Sequence, residues 1–168
     1  MRIYFEQIAD EGKEFSFNSS FNVDGTIYDV VLFSGIINSV GEGFLLDGEI
    51  SVNITDSCDR CLTVFTESFS SKVRVEILKE SKSSEEAEVE LTDEDMGLYV
   101  VHEDFIDLEN IMTQEAVLLR PYKRVCRDDC KGLCPGCGVD LNFEGCSCKK
   151  EIDDRWKALS VLMSDKKE

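Results

Sequence analysis

The chain reads as an α+β protein: an antiparallel β-sheet, one long covering helix and a C-terminal cysteine-rich zinc module. Three observations carry this expectation. Apolar residues alternate with polar ones through much of the first half, one later stretch repeats at helical spacing, and the eight cysteines fall in close pairs. The expected division is a β-rich domain with its helix over 1–119 and a metal module with a short terminal helix over 120–168. That length suits one ordinary core with a small appendage.

Short alternating signals at 2–5 and 15–21 predict edge strands. The stretch 28–40 is rich in β-branched residues and ends in Gly41-Glu42-Gly43, which can turn the chain into a hairpin. Phe44, Leu46, Ile50, Val52 and Ile54 then share one face, with Asp47, Glu49, Ser51 and Asn53 on the other. Beyond Cys61 the pattern resumes, placing Phe69, Val73, Val75 and Ile77 inward and Lys72, Arg74 and Glu76 outward. These strands predict one half-buried sheet.

The segment 79–90 is rich in Ser and Glu with almost no apolar content and predicts a mobile acidic surface loop. Phe105, Leu108, Ile111, Met112, Glu115 and Leu119 fall near helical spacing, predicting a helix over 104–119 that Pro121 ends and that covers the open sheet face. A last short helix over 153–163 would carry Trp156, Leu159, Val161 and Leu162 on one flank.

The net charge of −17 makes the surface as a whole repel nucleic acid and favours a basic partner. The exception is 120–150, with seven basic and four acidic residues. The N-terminus lacks a basic-then-apolar leader, and no apolar run approaches the roughly 18 residues of a membrane span. The expectation is therefore a cytoplasmic protein without membrane contact, in which cysteines stay reduced and close pairs indicate a metal rather than disulfides.

Tetrahedral zinc takes four thiolates at about 2.3 Å, usually supplied as two close pairs on tight turns. Cys134-Pro135-Gly136-Cys137-Gly138 has the form of such a turn, and Cys146-Ser147-Cys148 can return to close it, with Asn142 and Gly145 turning the chain between them. The remaining pairs, Cys58/Cys61 and Cys126/Cys130, would then form a second site. A rival partition groups Cys126, Cys130, Cys134 and Cys137 and leaves Cys58 and Cys61 as a reduced dithiol. The two-site arrangement is the favoured one, with one or two zinc ions per chain, and the same ligands could also hold an iron–sulfur cluster.

Enzymatic readings find little support. A redox Cys-x-x-Cys pair works from a helix N-terminus after a strand, whereas Cys58 and Cys61 have predicted strands on both sides. Catalytic zinc usually recruits His or carboxylate ligands and keeps an open position, and the single histidine, His102, lies in an acidic stretch away from the cysteines. No P-loop, nucleophile elbow or dinucleotide fingerprint occurs, so no small-molecule substrate is expected.

The pattern Cys126-x-x-x-Cys130-Lys131-Gly132-Leu133-Cys134-Pro135-x-Cys137-Gly138-x-Asp140-Leu141-Asn142, followed by Cys146-x-Cys148 and Ile152-Asp153-Asp154-Arg155-Trp156-x-x-Leu159, resembles the YceD family. Cys58-Asp59-Arg60-Cys61-Leu62 is similar to that family's other signature. The resemblance runs from about residue 35 to 159, departing at Asp154, where the family tail commonly has proline. It implies a non-enzymatic factor for large-subunit ribosomal RNA accumulation or ribosome assembly, acting on a pre-ribosomal particle. A basic large-subunit ribosomal protein is the partner it points to, because the family's gene often neighbours that of such a protein. Two alternatives stand beside it: a thiol redox protein using Cys58 and Cys61, and an RNA-binding module in rRNA maturation. The latter would contact RNA through Arg120, Tyr122, Lys123, Arg124, Arg127 and Lys131. Those cations could equally offset the formal −2 charge of a zinc held by four thiolates.

Overall fold

In the computed structural model, which describes residues 1–9, 11–41, 43–79 and 98–148, the alternating segments are long strands. They are β1 (Arg2–Tyr4), β2 (Lys13–Val23), β3 (Thr26–Val40), β4 (Gly43–Ser57), β5 (Val64–Lys79), β6 (Leu98–Val101) and β7 (Phe105–Asp107), followed by the helix α1 (Leu108–Leu118). Five strands form one sheet in the order β2-β3-β4-β5-β6, and β1 pairs with β7 in a separate ribbon.

Successive strands from β2 to β5 pair as antiparallel neighbours, as a period of two with one apolar face requires. Asp24 and Gly25 take positive φ at the β2–β3 turn (49° and 83°), the signature of a two-residue turn that matches strand twist. Phe33, Ile37, Leu46, Ile50 and Ile77 are fully buried on the inner face, and Val52, Ile54 and Val73 lie beside them. Phe44 and Phe69 pack against that core from partly exposed positions.

Two expectations are corrected. The sheet is not wholly antiparallel, because β6 pairs with β5 in parallel, with Glu76 opposite Leu98 and Lys79 opposite Val101. A parallel pair needs a connection of about a dozen residues or more, and 80–97 supplies that length. The helix begins at Leu108, not at 104. Phe105 and Ile106 pair with Tyr4 and Ile3 as strand, and the Asp107 carboxylate then accepts the Glu109 amide at 3.1 Å as an N-cap. Leu108, Ile111, Met112 and Ala116 form the buried stripe of α1 and belong to the same apolar cluster as the inner face of the sheet. The expected edge strand at 2–5 is present as β1, but in the two-stranded ribbon.

Beyond Lys79, the predicted acidic loop lies outside the described residues, as do the predicted helix over 153–163 and the departure at Asp154. No helix among the described residues is long and apolar enough to cross a membrane.

The chain divides into two compact units, Met1–Ser57 with Val64–Arg124, and Cys58–Thr63 with Val125–Glu168. The sequence pattern places the division at 119/120. Here the β-rich unit extends to Arg124, and the β4–β5 connection, which carries Cys58 and Cys61, counts with the C-terminal cysteines.

Candidate metal centre

Within the second unit the eight cysteines gather into two groups of four: Cys58, Cys61, Cys126 and Cys130, and Cys134, Cys137, Cys146 and Cys148. In each group all sulfurs lie within 4.8 Å of one another. This is the favoured partition of the sequence reading. The rival grouping of Cys126, Cys130, Cys134 and Cys137 does not occur.

The two Cys-x-x-Cys turns share one construction. The amide of Leu62 donates to the Cys58 carbonyl at 2.9 Å, as Gly138 does to Cys134 at 2.8 Å. The Cys58 amide donates to Thr63 at 2.9 Å, as Cys134 does to Val139 at 2.8 Å. The amides of Arg60 and Gly136 each lie 3.4 Å from the first sulfur of their turn. In both turns the residue after the second cysteine is left-handed, with φ of 61° at Leu62 and 74° at Gly138. Glycine takes that conformation freely, whereas leucine does so at a cost of about 1–2 kcal/mol. Only the second turn was legible as a knuckle from composition. The first hides its identical backbone behind Asp59, Arg60 and Leu62.

The fit to a tetrahedral ion can be tested on sulfur spacing. Four sulfurs about 2.3 Å from a central ion lie about 3.8 Å apart. The Cys58–Cys130 and Cys61–Cys126 pairs are at 3.9 and 3.6 Å, and Cys134–Cys146 is at 3.2 Å. Backbone amides are aimed at the sulfurs, that of Cys126 reaching Cys58 at 3.4 Å. The donor set, four soft thiolates with amide support, suits zinc.

Charge reinforces the fit. Burial raises the pKa of the Cys58 thiol, but the amides of Cys126, Cys61 and Arg60 outweigh it and bring it down to about 6. Cys134 is brought down to about 6 by the Cys137 amide, the Cys146 thiol and the Gly136 amide. Their neighbours go the other way. Burial and the thiols of Cys61 and Cys130 push Cys126 up to about 12, and the thiols of Cys137 and Cys134 push Cys148 up to about 12. Four adjacent sulfurs cannot all be negative unaided, and a dication at their centre removes that conflict.

The tetrads differ in exposure. Cys58, Cys61 and Cys130 are buried with Cys126 half-buried, whereas Cys134 is buried and Cys137, Cys146 and Cys148 are exposed. Arg60 serves the buried tetrad: its guanidinium donates to the Cys130 carbonyl at 2.8 Å, and its own carbonyl accepts the Leu133 amide at 3.0 Å. Gly132 has φ of 75°, and a Cβ there would stand 2.9 Å from the Arg60 carbonyl oxygen. The sequence marks Arg60 and Asn142 as no more than a signature residue and a turn residue.

Of the six candidate RNA contacts, four belong to the β-rich unit and two to the second unit. In the β-rich unit, Asp56 takes the Arg120 guanidinium at 2.7 Å and that of Arg124 at 3.3 Å, and also accepts the Thr26 hydroxyl at 3.2 Å. Burial raises the Asp56 pKa, but hydrogen bonds from Arg120, the Ser57 amide and Arg124 outweigh it and hold the carboxyl below its usual range. Tyr122 and Lys123 are exposed. In the second unit Arg127 and Lys131 are exposed, and Arg127 pairs with Asp129 at 3.3 Å. His102 is exposed in the β-rich unit, and no cysteine tetrad includes it.

An α+β chain with two four-cysteine clusters, one built partly from a strand connection, defines a class of cysteine-tetrad proteins without catalytic-type ligands in the clusters. Residues 46–163 match the family described as Large ribosomal RNA subunit accumulation protein YceD, and the chain belongs to that family. It is 35% identical over 127 residues to an uncharacterized protein of Mycobacterium tuberculosis, a match covering 76% of this chain and 59% of that protein. An uncharacterized protein of Mycobacterium leprae is 30% identical over 128 residues, covering 76% of this chain and 57% of its own length. The chain thus spans less than two thirds of the curated relatives it matches. No solved structure matches it.

Proposed function

We propose that this protein is a non-enzymatic, zinc-binding cytoplasmic factor that supports accumulation of large-subunit ribosomal RNA by binding a basic large-subunit ribosomal protein, alone or on a pre-ribosomal particle. The observation that carries the reading is the pairing of two four-sulfur groups with membership of a family described by ribosomal RNA accumulation. Zinc serves structure in it: each tetrad offers four thiolates and so completes a tetrahedral shell with no open position for substrate. The chain's charge of −17 supports a basic protein as partner, since an acidic surface can hold such a protein until RNA displaces it.

Two rival readings are weaker. A redox role for Cys58 and Cys61 conflicts with sulfurs already packed 3.9 and 3.6 Å from Cys130 and Cys126. Direct RNA binding loses two of its five cations to Asp56. The experiment is affinity capture of the full chain from a bacterial lysate, with and without nuclease, alongside metal analysis. The reading expects two zinc ions per chain and a basic ribosomal protein retained after nuclease. Recovery that disappears with nuclease would replace it with RNA binding, and a metal-free folded chain would remove its structural basis.

A further inference from the structure

Asn142 belongs by position to the exposed tetrad, in the loop between Cys137 and Cys146, yet its side chain serves the buried one. Nδ2 donates to Sγ of Cys130 at 3.5 Å and to Oδ1 of Asp140 at 2.7 Å, while Oδ1 accepts the Lys131 amide at 2.8 Å. Asp140 in turn accepts the Asn142 backbone amide at 2.8 Å. Both amide protons and the carbonyl are therefore committed, and the side chain is fixed at both ends. Around it the 132–141 backbone closes on itself, with the Leu141 amide donating to Gly132 at 2.9 Å and Leu133 bridged to Asp140.

We infer that Asn142 couples metal binding at the two tetrads, the ion in the exposed tetrad fixing the loop whose amide supports the Cys130 thiolate in the buried one. The inference rests on the zinc reading above. An N–H donor to a metal-bound thiolate draws off part of its charge, which matters in a centre of formal charge −2. The loop that carries this donor is anchored on one side by Cys134 and Cys137 and on the other by Cys146 and Cys148, so an ion across these four sulfurs clamps both loop ends. Linkage makes the effect mutual: an ion in the buried tetrad, by ordering Cys130, favours the loop arrangement the exposed tetrad needs. The bland alternative is an Asx turn in which Asn142 and Asp140 only shape their own loop. It predicts no effect on a sulfur twelve residues away in sequence.

The test uses the full chain, cobalt(II) and zinc. Native mass spectrometry of wild-type chain at half-saturating zinc should show mainly the metal-free and two-metal species, whereas Asn142→Ala should accumulate the one-metal species. A Cys146→Ser/Cys148→Ser chain then empties the exposed tetrad, and the thiolate-to-cobalt band, read against a competing chelator, reports the buried one. Its cobalt affinity should fall about tenfold relative to the parent chain when Asn142 is present, and by much less in the Asn142→Ala background. Equal losses in both backgrounds overturn the coupling, as does a statistical one-metal population in the wild type, which needs no variant. A chain that takes up no metal at all defeats the zinc reading itself, whereas two metals bound independently defeat only this inference.

Discussion

Replacing Asp56 by alanine removes the acceptor for two arginines, a hydroxyl and a main-chain amide in the β-rich unit. The carboxylate side chain is 10% exposed and those of Arg120 and Arg124 are each 29% exposed. Removing one partner of a fully buried pair costs about 3–5 kcal/mol, because the other charge is left uncompensated. Here the guanidinium groups can turn partly to water, which lowers the figure, while Thr26, only 1% exposed, loses its acceptor. The expected destabilisation is about 2–4 kcal/mol. Urea unfolding followed by far-ultraviolet circular dichroism, with zinc held constant, measures it. An Asp56→Ala/Arg120→Ala chain should be less destabilised than the sum of its single variants by about 1–2 kcal/mol. The pH dependence has a definite sign. A carboxyl whose pKa is depressed on folding adds stability above its unfolded value near 3.9 and loses it as pH falls through the lower folded value. The deficit of the alanine variant should therefore hold from pH 7 to about 5 and shrink below about 4. A cost under about 0.5 kcal/mol at pH 7, or a deficit that grows on acidification, would refute the argument.

Three other outcomes follow from the metal turns. Leu62→Gly should stabilise the zinc-loaded chain to heat by about 0.5–1 kcal/mol, since glycine relieves the left-handed strain but adds freedom to the unfolded chain; a lower melting temperature would count against that account. Gly132→Ala should cost about 2 kcal/mol and weaken zinc retention, because a Cβ at positive φ meets the Arg60 carbonyl; unchanged retention would contradict it. A chelator should strip metal in two phases, fast from the exposed tetrad and slowly from the buried one, with Cys137→Ser abolishing the fast phase. A single phase would mean that exposure does not control release.

The strands were legible because their signal is local. Alternation through 44–54 and 69–77 says which side chains face inward, and the structure agrees at Leu46, Ile50, Val52, Ile54, Val73, Val75 and Ile77. The parallel β6 was not legible, since four residues cannot display a period and their partner lies across a long connection. Phe105 misled because three residues of β7 run directly into α1 in phase with its apolar stripe. The cysteine partition could be reasoned out because thiolates must come in fours around zinc. The supports around them were hidden: no local pattern announces that Asn142 meets Cys130, that Arg60 reaches the Cys130 carbonyl, or that Arg120 and Arg124 are claimed by Asp56. Each depends on residues brought together from distant parts of the chain.

The buried tetrad joins sulfurs 65 positions apart, Cys61 and Cys126. During synthesis Cys58 and Cys61 emerge well before Cys126 and Cys130, so the four-sulfur group is complete only once the later pair has followed. A chain that stopped before Cys126 would lack half of these ligands. An ion held by these four sulfurs would therefore fasten together two stretches of chain far apart in sequence.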